Sequence, residues 1–277
     1  MSGLVALASY PKSGNTWFRA FLTALFGNGE GLDINRLQVP SFGDRVFYDR
    51  CLGLSSSLFT VAELVRLRGA VFSHTSRQNG RELIVKVHDA WRSSDANSEP
   101  PLPAELISTV IYLVRDPRDV AVSFASHLEK PVDETIALMN DASFTFRAIP
   151  GERARHLPQY VSSWGQHVES WLGGGHRRVL LIRYEDIVAN PERVFGNTMR
   201  FLGTTVSPEA LRSAVAASSF DALAGQESQS GFRERPGGTS TFFRQGKTND
   251  WQRVLTAEQA ARIVRDHGDV MARLGYL

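Results

Sequence analysis

Three short stretches of the chain combine charged, hydroxyl and glycine residues at spacings suited to work on an anion. The first is Ser9-Tyr10-Pro11-Lys12-Ser13-Gly14-Asn15-Thr16-Trp17, which carries a lysine, hydroxyls on either side of a glycine, and no acid. Placed between a strand and a helix, its backbone amides would point at whatever sits above the strand, and Gly14 would let the backbone come close to it. The second is Lys86-Val87-His88. On an extended segment Lys86 and His88 share a side, where a lysine can hold an anionic oxygen and an imidazole can take a proton near neutral pH. In the third, Arg115-Asp116-Pro117-Arg118-Asp119-Val120-Ala121-Val122-Ser123, Arg115 and Ser123 could both donate to one phosphate, the serine lying two turns up a helix. Each also has a plainer reading: a well-capped turn, a structural histidine at a strand end, and an Arg115–Asp119 salt bridge. His74, in Phe72-Ser73-His74-Thr75, competes with His88 as a base. Asp89 is a weak candidate to orient the His88 ring, because neighbours on a strand point to opposite faces.

The elements needed to position these residues are legible around them. Leu4 to Ala8, Leu83 to Val87, Val110 to Val114 and Val179 to Ile182 are short apolar runs rich in β-branched residues, read as strands. Near-continuous apolar strands point to a parallel sheet covered on both faces. Phe18, Phe21, Leu22 and Leu25 recur at helical spacing over residues 16–25. Asp116-Pro117, Asn190-Pro191 and Ser207-Pro208 are helix starts, and Thr256 with Gln259 has capping-box spacing. A further helix is expected over residues 158–171, ending at Gly173-Gly174-Gly175, a flexible stop rather than a phosphate loop. Residues 27–57, 92–103 and 225–249 lack periodicity and read as long loops suited to lids or binding, with 226–240 mobile until a ligand binds. There is no internal repeat.

Composition narrows the chemistry. The chain has 277 residues, 42% of them hydrophobic, with 31 Lys+Arg against 29 Asp+Glu. A formal net charge of +2 argues against a dedicated polyanion binder, so no nucleic-acid partner is expected. The single cysteine, Cys51, rules out an intrachain disulfide and a thiolate metal cluster. No apolar run is long enough for a membrane span and the N-terminus is unlike a signal peptide, so the expectation is a cytoplasmic protein with no membrane partner. The first loop is not a Walker A sequence, because Lys12 precedes Gly14; Gly246-Lys247-Thr248 fails as well, with Thr241 at the first glycine position. That disfavours a nucleoside or small-molecule kinase, while a non-catalytic nucleotide-binding module would keep the loops without needing His88.

SYPKSGNTW resembles the 5′-phosphosulfate loop of the sulfotransferases that use 3′-phosphoadenosine 5′-phosphosulfate (PAPS), and the remaining motifs follow in that family's order. Arg115 to Ser123 resembles its 3′-phosphate signature, with Arg115 and Ser123 on the two phosphate ligands. Lys86-Val87-His88 is similar to its Lys-x-His, whose histidine is the general base. Tyr184-Glu185-Asp186 matches an element whose tyrosine contacts adenine, Ser218-Ser219-Phe220 resembles the adenine-side Thr/Ser-x-Phe, and Trp17 would give the base an aromatic face. Phe243-Arg244-Gln245-Gly246-Lys247-Thr248-Asn249-Asp250-Trp251 resembles RKGxxGDW, with two departures. Gln245 stands where the family has lysine, a charge Lys247 could recover, and Asn249 stands for a glycine, although asparagine tolerates the left-handed backbone region. The resemblance spans residues 6–256. The residues after Trp251 do not reproduce the KxxxTVxxxE dimer motif of many cytosolic relatives, so no oligomeric state follows.

The resemblance implies one α/β sulfotransferase domain over residues 1–277, a central parallel sheet flanked by helices in a P-loop-NTPase-like fold with long substrate-binding loops. It implies a PAPS-dependent enzyme that sulfates a small hydroxylated acceptor, such as a natural-product phenol or glycoside, by in-line displacement without a metal. His88, Lys12 and Lys86 are then the catalytic set. Lys12, Ser13, Gly14, Asn15, Thr16, Trp17, Arg115, Ser123, Tyr184, Ser218, Phe220, Phe243, Arg244, Gln245 and Gly246 are the cofactor-binding set. Phe42, Phe47, Tyr48, Phe59 and Phe232 suggest a partly aromatic acceptor pocket, or core.

Overall fold

The computed structural model describes residues 3–27, 31–79, 82–91, 104–146, 156–176, 178–235 and 241–277. In chain order the elements are β1 (Leu4–Ser9), α1 (Asn15–Phe26), α2 (Arg45–Leu52), α3 (Val61–Asn79), β2 (Leu83–Val87), β3 (Ile107–Val114), α4 (Pro117–Leu128) and α5 (Val132–Asn140). They continue with β4 (Thr145–Phe146), β5 (Gln159–Tyr160), α6 (Trp164–Leu172), β6 (Val179–Arg183), α7 (Tyr184–Ala189), α8 (Pro191–Phe201), α9 (Pro208–Ala217), α10 (Phe220–Ser230), α11 (Trp251–Val254) and α12 (Ala257–Arg273). The central parallel sheet has the order β2-β1-β3-β6, and β1 runs parallel to β2 with Leu4 opposite Leu83 and Ala8 opposite Val87. Every residue of β1 is buried, as expected of a strand covered on both faces.

The backbone gathers into two compact units. One comprises Met1–Tyr10, Pro40–Tyr112 and Leu138–Leu181; the other comprises Pro11–Val39, Leu113–Ala137 and Ile182–Leu277. The first is packed around bulky aromatics. Phe42 stacks on Phe72 at 5.2 Å between ring centroids, Phe47 stacks on Phe72 at 4.7 Å, and Trp91 packs on Trp171 at 5.2 Å. In the second, Phe21 of α1 stacks on Phe195 of α8 at 4.0 Å, α1 packs on α9, and α4 packs on α11 and α12.

Helix starts follow local side-chain chemistry. Asp116, Asn190 and Ser207 each accept a backbone N–H from the first turn of the helix they open, each before a proline whose missing donor costs nothing there. Thr256 and Gln259 form the capping box expected of them.

Several expectations for the loops and one for a helix are corrected. Residues 27–57 contain α2, started by the Asp44 carboxylate, and a short 3-10 turn at Ile34–Arg36. The stretch 225–249 begins inside α10, so residues 225–230 are helical rather than loop. The helix expected over 158–171 starts at Trp164, because Gln159 and Tyr160 pair with Phe146 and Thr145, and Ser163 caps the helix from inside the expected range. Residues 92–103, with part of 226–240, lie outside the described residues. Phe42, Tyr48 and Phe232, read as acceptor pocket or core, are buried.

Candidate active site

The loop after β1 turns into α1 through two left-handed residues, Lys12 (φ 69°) and Gly14 (φ 96°). A positive φ at a lysine costs conformational energy and is held by its surroundings. At Gly14 the requirement is also steric: a Cβ there would stand 2.8 Å from Cδ2 of Tyr184. The glycine therefore brings the phosphate-type loop against the tyrosine ring, and Trp17 packs edge-on to the same ring at 5.8 Å. The first-turn amides of α1 have no partners within the helix, which suits them to an anion.

Arg115, at the end of β3, joins this loop to the segment before α11. Its guanidinium donates to the carbonyl of Lys12 at 3.3 Å and to the carbonyl of Lys247 at 2.9 Å, and it lies over the Tyr184 ring at 4.4 Å. No salt bridge to Asp119 takes up this guanidinium. The Asp119 carboxylate instead accepts the backbone N–H of Asn249 at 2.7 Å and of Trp251 at 2.9 Å, fastening the start of α11 to α4. Burial pushes the Asp119 carboxyl up; the nearby Arg115 and the two amides pull the other way. Burial also raises the Tyr184 phenol, and Arg115 opposes that rise. Ser123 lies half-buried on α4, one turn beyond Asp119.

Gly246 has φ 61° and its Cβ position is occupied by the ring of Phe220, so two glycines press phosphate-type loops onto two aromatic rings. Asn249, standing for a glycine, has φ 62°, the left-handed conformation asparagine tolerates. A cavity of about 730 Å³ opens here, lined among others by Phe220, Arg244, Gln245, Lys247, Asn249 and Arg253. Lys247 thus shares a cavity with Arg244. Asp250 gathers the neighbouring donors Arg244 at 3.3 Å and Arg253 at 3.0 Å, and a half-turn of the Gln245 amide adds its NH₂ at 3.1 Å. Phe243 directs its ring into an apolar cluster with Ala20, Ile34, Leu223 and Phe232, while its N–H and that of Phe242 donate to the Glu227 carboxylate. The Ser218 hydroxyl donates to the Ala214 carbonyl at 2.8 Å, which leaves its oxygen as an acceptor.

Among the buried atoms of this unit that have no hydrogen-bond partner among the described residues, Ser13 Oγ, Trp17 Nε1 and Arg115 Nε lie around this loop. Buried donors are ordinarily satisfied, so a set of three around one loop, beside two cationic segments, fits a polar anionic ligand. Asn15 is buried and Thr16 half-buried in the first turn of α1, and Lys12 Nζ lies over the Phe242 ring at 4.1 Å.

In the other unit, Lys86 and His88 lie at the end of β2, both buried. The strand is held there by residues 40–42: Lys86 donates its N–H to the Pro40 carbonyl, and its carbonyl accepts from Phe42, each at 2.9 Å. His88 Nδ1 lies 2.8 Å from the Ser9 carbonyl and 3.3 Å from Ser9 Oγ. A carbonyl only accepts, so Nδ1 carries the proton and the lone pair of the neutral ring belongs to Nε2. Asp89 does not orient this ring. It pairs with buried Arg68 at 3.5 Å and accepts from the Tyr160 N–H at 3.3 Å, and burial raises its carboxyl. His74 sits exposed in α3, within a helix, unlike His88 at the end of β2.

Sequence reasoning missed the residues behind His88. His167 of α6 donates from Nε2 to the His88 carbonyl at 3.2 Å, and its Nδ1 lies 2.7 Å from the Tyr112 hydroxyl. A signal existed: His167 interrupts the apolar face formed by Trp164, Val168 and Trp171, and a polar group on a buried face must find partners.

Residues 4–275 match the family described as sulfotransferase domain. The chain is 26% identical to rat sulfotransferase 1A1 over 275 residues, covering 96% of this chain and 83% of the relative. It is 25% identical to cytosolic sulfotransferase 16 of Arabidopsis thaliana over 273 residues, covering 93% of this chain and 72% of the relative. Among solved structures, that of mouse sulfotransferase SULT7A1 complexed with PAP superposes with a TM-score of 0.61 at 18% identity, covering 98% of this chain and 84% of that one.

Proposed function

Because the chain belongs to the sulfotransferase family, we propose that it moves a sulfuryl group from PAPS to a hydroxyl of a small-molecule acceptor, a phenol or glycoside of natural-product type. The observation that carries this reading is Arg115 bridging the carbonyls of Lys12 and Lys247, which ties the loop after β1 to the cationic segment before α11. One dianionic or trianionic nucleotide with phosphates at both ends is the ligand such a pairing suits. The name of the Arabidopsis relative supports a cytoplasmic setting, and the whole of residues 1–277 would act as one functional domain.

In this reading Ser13, Gly14, Asn15, Thr16 and Lys12 hold the 5′-phosphosulfate; Arg115, Ser123, Arg244, Gln245 and Gly246 hold the 3′-phosphate. Trp17, Tyr184, Ser218, Phe220 and Phe243 form the adenine side, with Ser218 limited to accepting and Phe243, whose N–H is bonded to Glu227, limited to its carbonyl. When bound, PAPS supplies an activated sulfuryl group whose transfer needs in-line placement and stabilised oxygen charge more than covalent help. His88 Nε2 takes the acceptor's hydroxyl proton while Nδ1–H stays on the Ser9 carbonyl. Lys86 steadies the charge on the sulfuryl oxygens, and Lys12 with the loop amides steadies the departing phosphate.

The test is a screen of phenols and glycosides with PAPS carrying labelled sulfate, run beside calorimetry with adenosine 3′,5′-bisphosphate and with ATP. Label transfer together with preference for the bisphosphate supports the reading. Tight ATP binding with no bisphosphate binding refutes it, and bisphosphate binding with no transfer to any hydroxyl acceptor reduces the protein to a nucleotide-binding module.

A further inference from the structure

Behind His88 lies a buried hydrogen-bonded chain of defined polarity. The His88 carbonyl can only accept, so the His167 nitrogen facing it at 3.2 Å, Nε2, must carry a proton. Burial lowers the His167 pKa to about 3, so the ring is neutral at physiological pH and its other nitrogen, Nδ1, is an acceptor. Its neighbour there is the Tyr112 hydroxyl at 2.7 Å, and burial raises that phenol well above its ordinary value, so Tyr112 stays protonated and donates. Tyr112 O–H therefore donates to His167 Nδ1 and His167 Nε2–H to the His88 carbonyl, where this run ends, while the His88 ring separately donates Nδ1–H to the Ser9 carbonyl. Tyr112 and His167 are fully buried and fixed by ring packing: Tyr10 meets His167 edge-on at 5.5 Å, and Tyr112 leans on it at 5.7 Å.

An ordinary core position on α6 would not require this arrangement. An apolar residue at position 167 would pack with Trp164, Val168 and Trp171 and avoid desolvating an imidazole. What the imidazole adds is a donor aimed at the one main-chain carbonyl belonging to His88.

We propose that Tyr112 and His167 are positioning residues for His88: Tyr112 fixes the His167 tautomer, and His167 holds the end of β2 so that the His88 ring keeps its bond to the Ser9 carbonyl with the Nε2 lone pair committed to the acceptor. The inference rests on His88 being the base. Neither residue touches substrate. A shift of the β2 end by a fraction of an ångström would spoil the proton-transfer geometry, and misplacement of about 1 Å can cost on the order of a hundredfold in rate.

The test uses the full chain labelled with ¹⁵N at histidine, saturated with adenosine 3′,5′-bisphosphate, at pH 8.5. Two-bond proton–nitrogen correlations read each ring's tautomer, with His88→Ala and His167→Phe providing the assignments. Opposite tautomers are expected: Nδ1–H at His88 and Nε2–H at His167. His167→Phe should lower kcat about 10- to 100-fold with the best acceptor of the screen, leave bisphosphate affinity within about twofold, and broaden or shift the His88 nitrogens. His167→Gln, whose amide can donate to the same carbonyl, should restore most of the rate. If His167→Phe fails to fold, Tyr112→Phe, which deletes one hydroxyl, should mix the His167 tautomers and lower kcat several-fold. Nδ1–H at His167 in the unmutated protein, or unmoved His88 nitrogens and kcat in His167→Phe or, where that fails to fold, Tyr112→Phe, overturns the positioning role. An active His88→Ala overturns the base assignment itself, whereas an inactive His88→Ala beside a fully active His167→Phe overturns the positioning role alone.

Discussion

The His88 ring is bonded through Nδ1–H to the main-chain carbonyl of Ser9 at 2.8 Å, so the last residue of β1 sets the tautomer of the imidazole at the end of β2. Lys12 follows Ser9 by three positions in the chain, and the same strand thus feeds both the phosphate-type loop and the orientation of the proposed base.

This relationship separates chemistry from architecture at His88. In His88→Asn the side-chain amide can still donate to the Ser9 carbonyl but no nitrogen can accept a proton. Loss of a general base costs about 10²- to 10⁴-fold, so sulfate transfer should fall by that factor while bisphosphate binding by calorimetry and the unfolding midpoint remain near those of the parent. A variant that keeps a tenth or more of the parent rate would remove His88 from the mechanism.

Arg115→Lys should fail where a simple charge argument would let it succeed. The guanidinium reaches two carbonyls, Lys12 and Lys247, and lies over Tyr184; a lysine is a point donor without that fork. Loss of one bidentate interaction corresponds to about 1.5–3 kcal/mol, or roughly 10- to 150-fold in bisphosphate Kd. Calorimetry of Arg115→Lys beside Arg115→Ala tests this, and near-parental affinity of the lysine variant would show that charge alone is what the position supplies.

Much of this site could be read before folding because its residues are local. Lys12, Gly14, Arg115 and Arg244 sit at strand ends or in glycine-bearing turns, where backbone geometry and side-chain type announce the use. The helix starts at Asp116, Asn190, Ser207 and Thr256 were legible for the same reason. α3 went unread although Thr60 and Glu63 bond reciprocally at its start, because its polar and apolar residues mix and its long exposed face blurs the periodicity. Tyr112 and His167 are 55 residues apart, and their bond depends on how α6 packs on the sheet, which no local pattern encodes. Asp119 illustrates the remaining limit: the plainer reading of the sequence paired it with Arg115, whereas it is occupied by amides some 130 residues away.

Asp119→Ala should release the segment before α11 from α4. The carboxylate accepts from the Asn249 and Trp251 amides, and Asn249 is already in a left-handed conformation that its neighbours must hold. We expect bisphosphate affinity to drop about tenfold, the loss of one charge-assisted bond of about 1.5 kcal/mol, and proteolysis to become faster near residue 249. Asp119→Asn, retaining one acceptor, should fall between. Parental affinity and protease resistance in Asp119→Ala would mean that the segment is held by Arg115 alone.

Gly14→Ala tests the close approach at the first loop. The residue has φ 96°, and the added methyl would meet Tyr184 Cδ2 at 2.8 Å, so both backbone and ring must give. An alanine forced to positive φ costs about 1 kcal/mol or more, and displacement of Tyr184 would disturb its contacts with Trp17 and Arg115. Bisphosphate binding should weaken at least tenfold with a modest loss of stability. The comparison Gly175→Ala, also at positive φ but with open space around its Cβ position, should lose similar stability and no binding.

Acid should reveal His167 through stability. Its pKa is lowered to about 3 by burial against an ordinary value of 6.5, so the folded protein keeps the ring neutral where the unfolded chain protonates it. A depressed folded-state pKa gives a contribution fully present above pH 6.5 and lost progressively as pH falls toward 3, at about 1.4 kcal/mol per pH unit. His267, lowered to about 4, acts in the same direction, while Asp89, whose carboxyl is raised, opposes it. Comparison with His167→Gln cancels both, since they titrate alike in the two proteins. Urea unfolding at pH 7.5 and at pH 5.0 should therefore show the parent losing about 2 kcal/mol relative to the variant over that interval. An equal difference at both pH values would mean that His167 takes its proton as readily in the fold as in the unfolded chain, and the neutral ring that orients the Tyr112 hydroxyl toward Nδ1 would be lost with it.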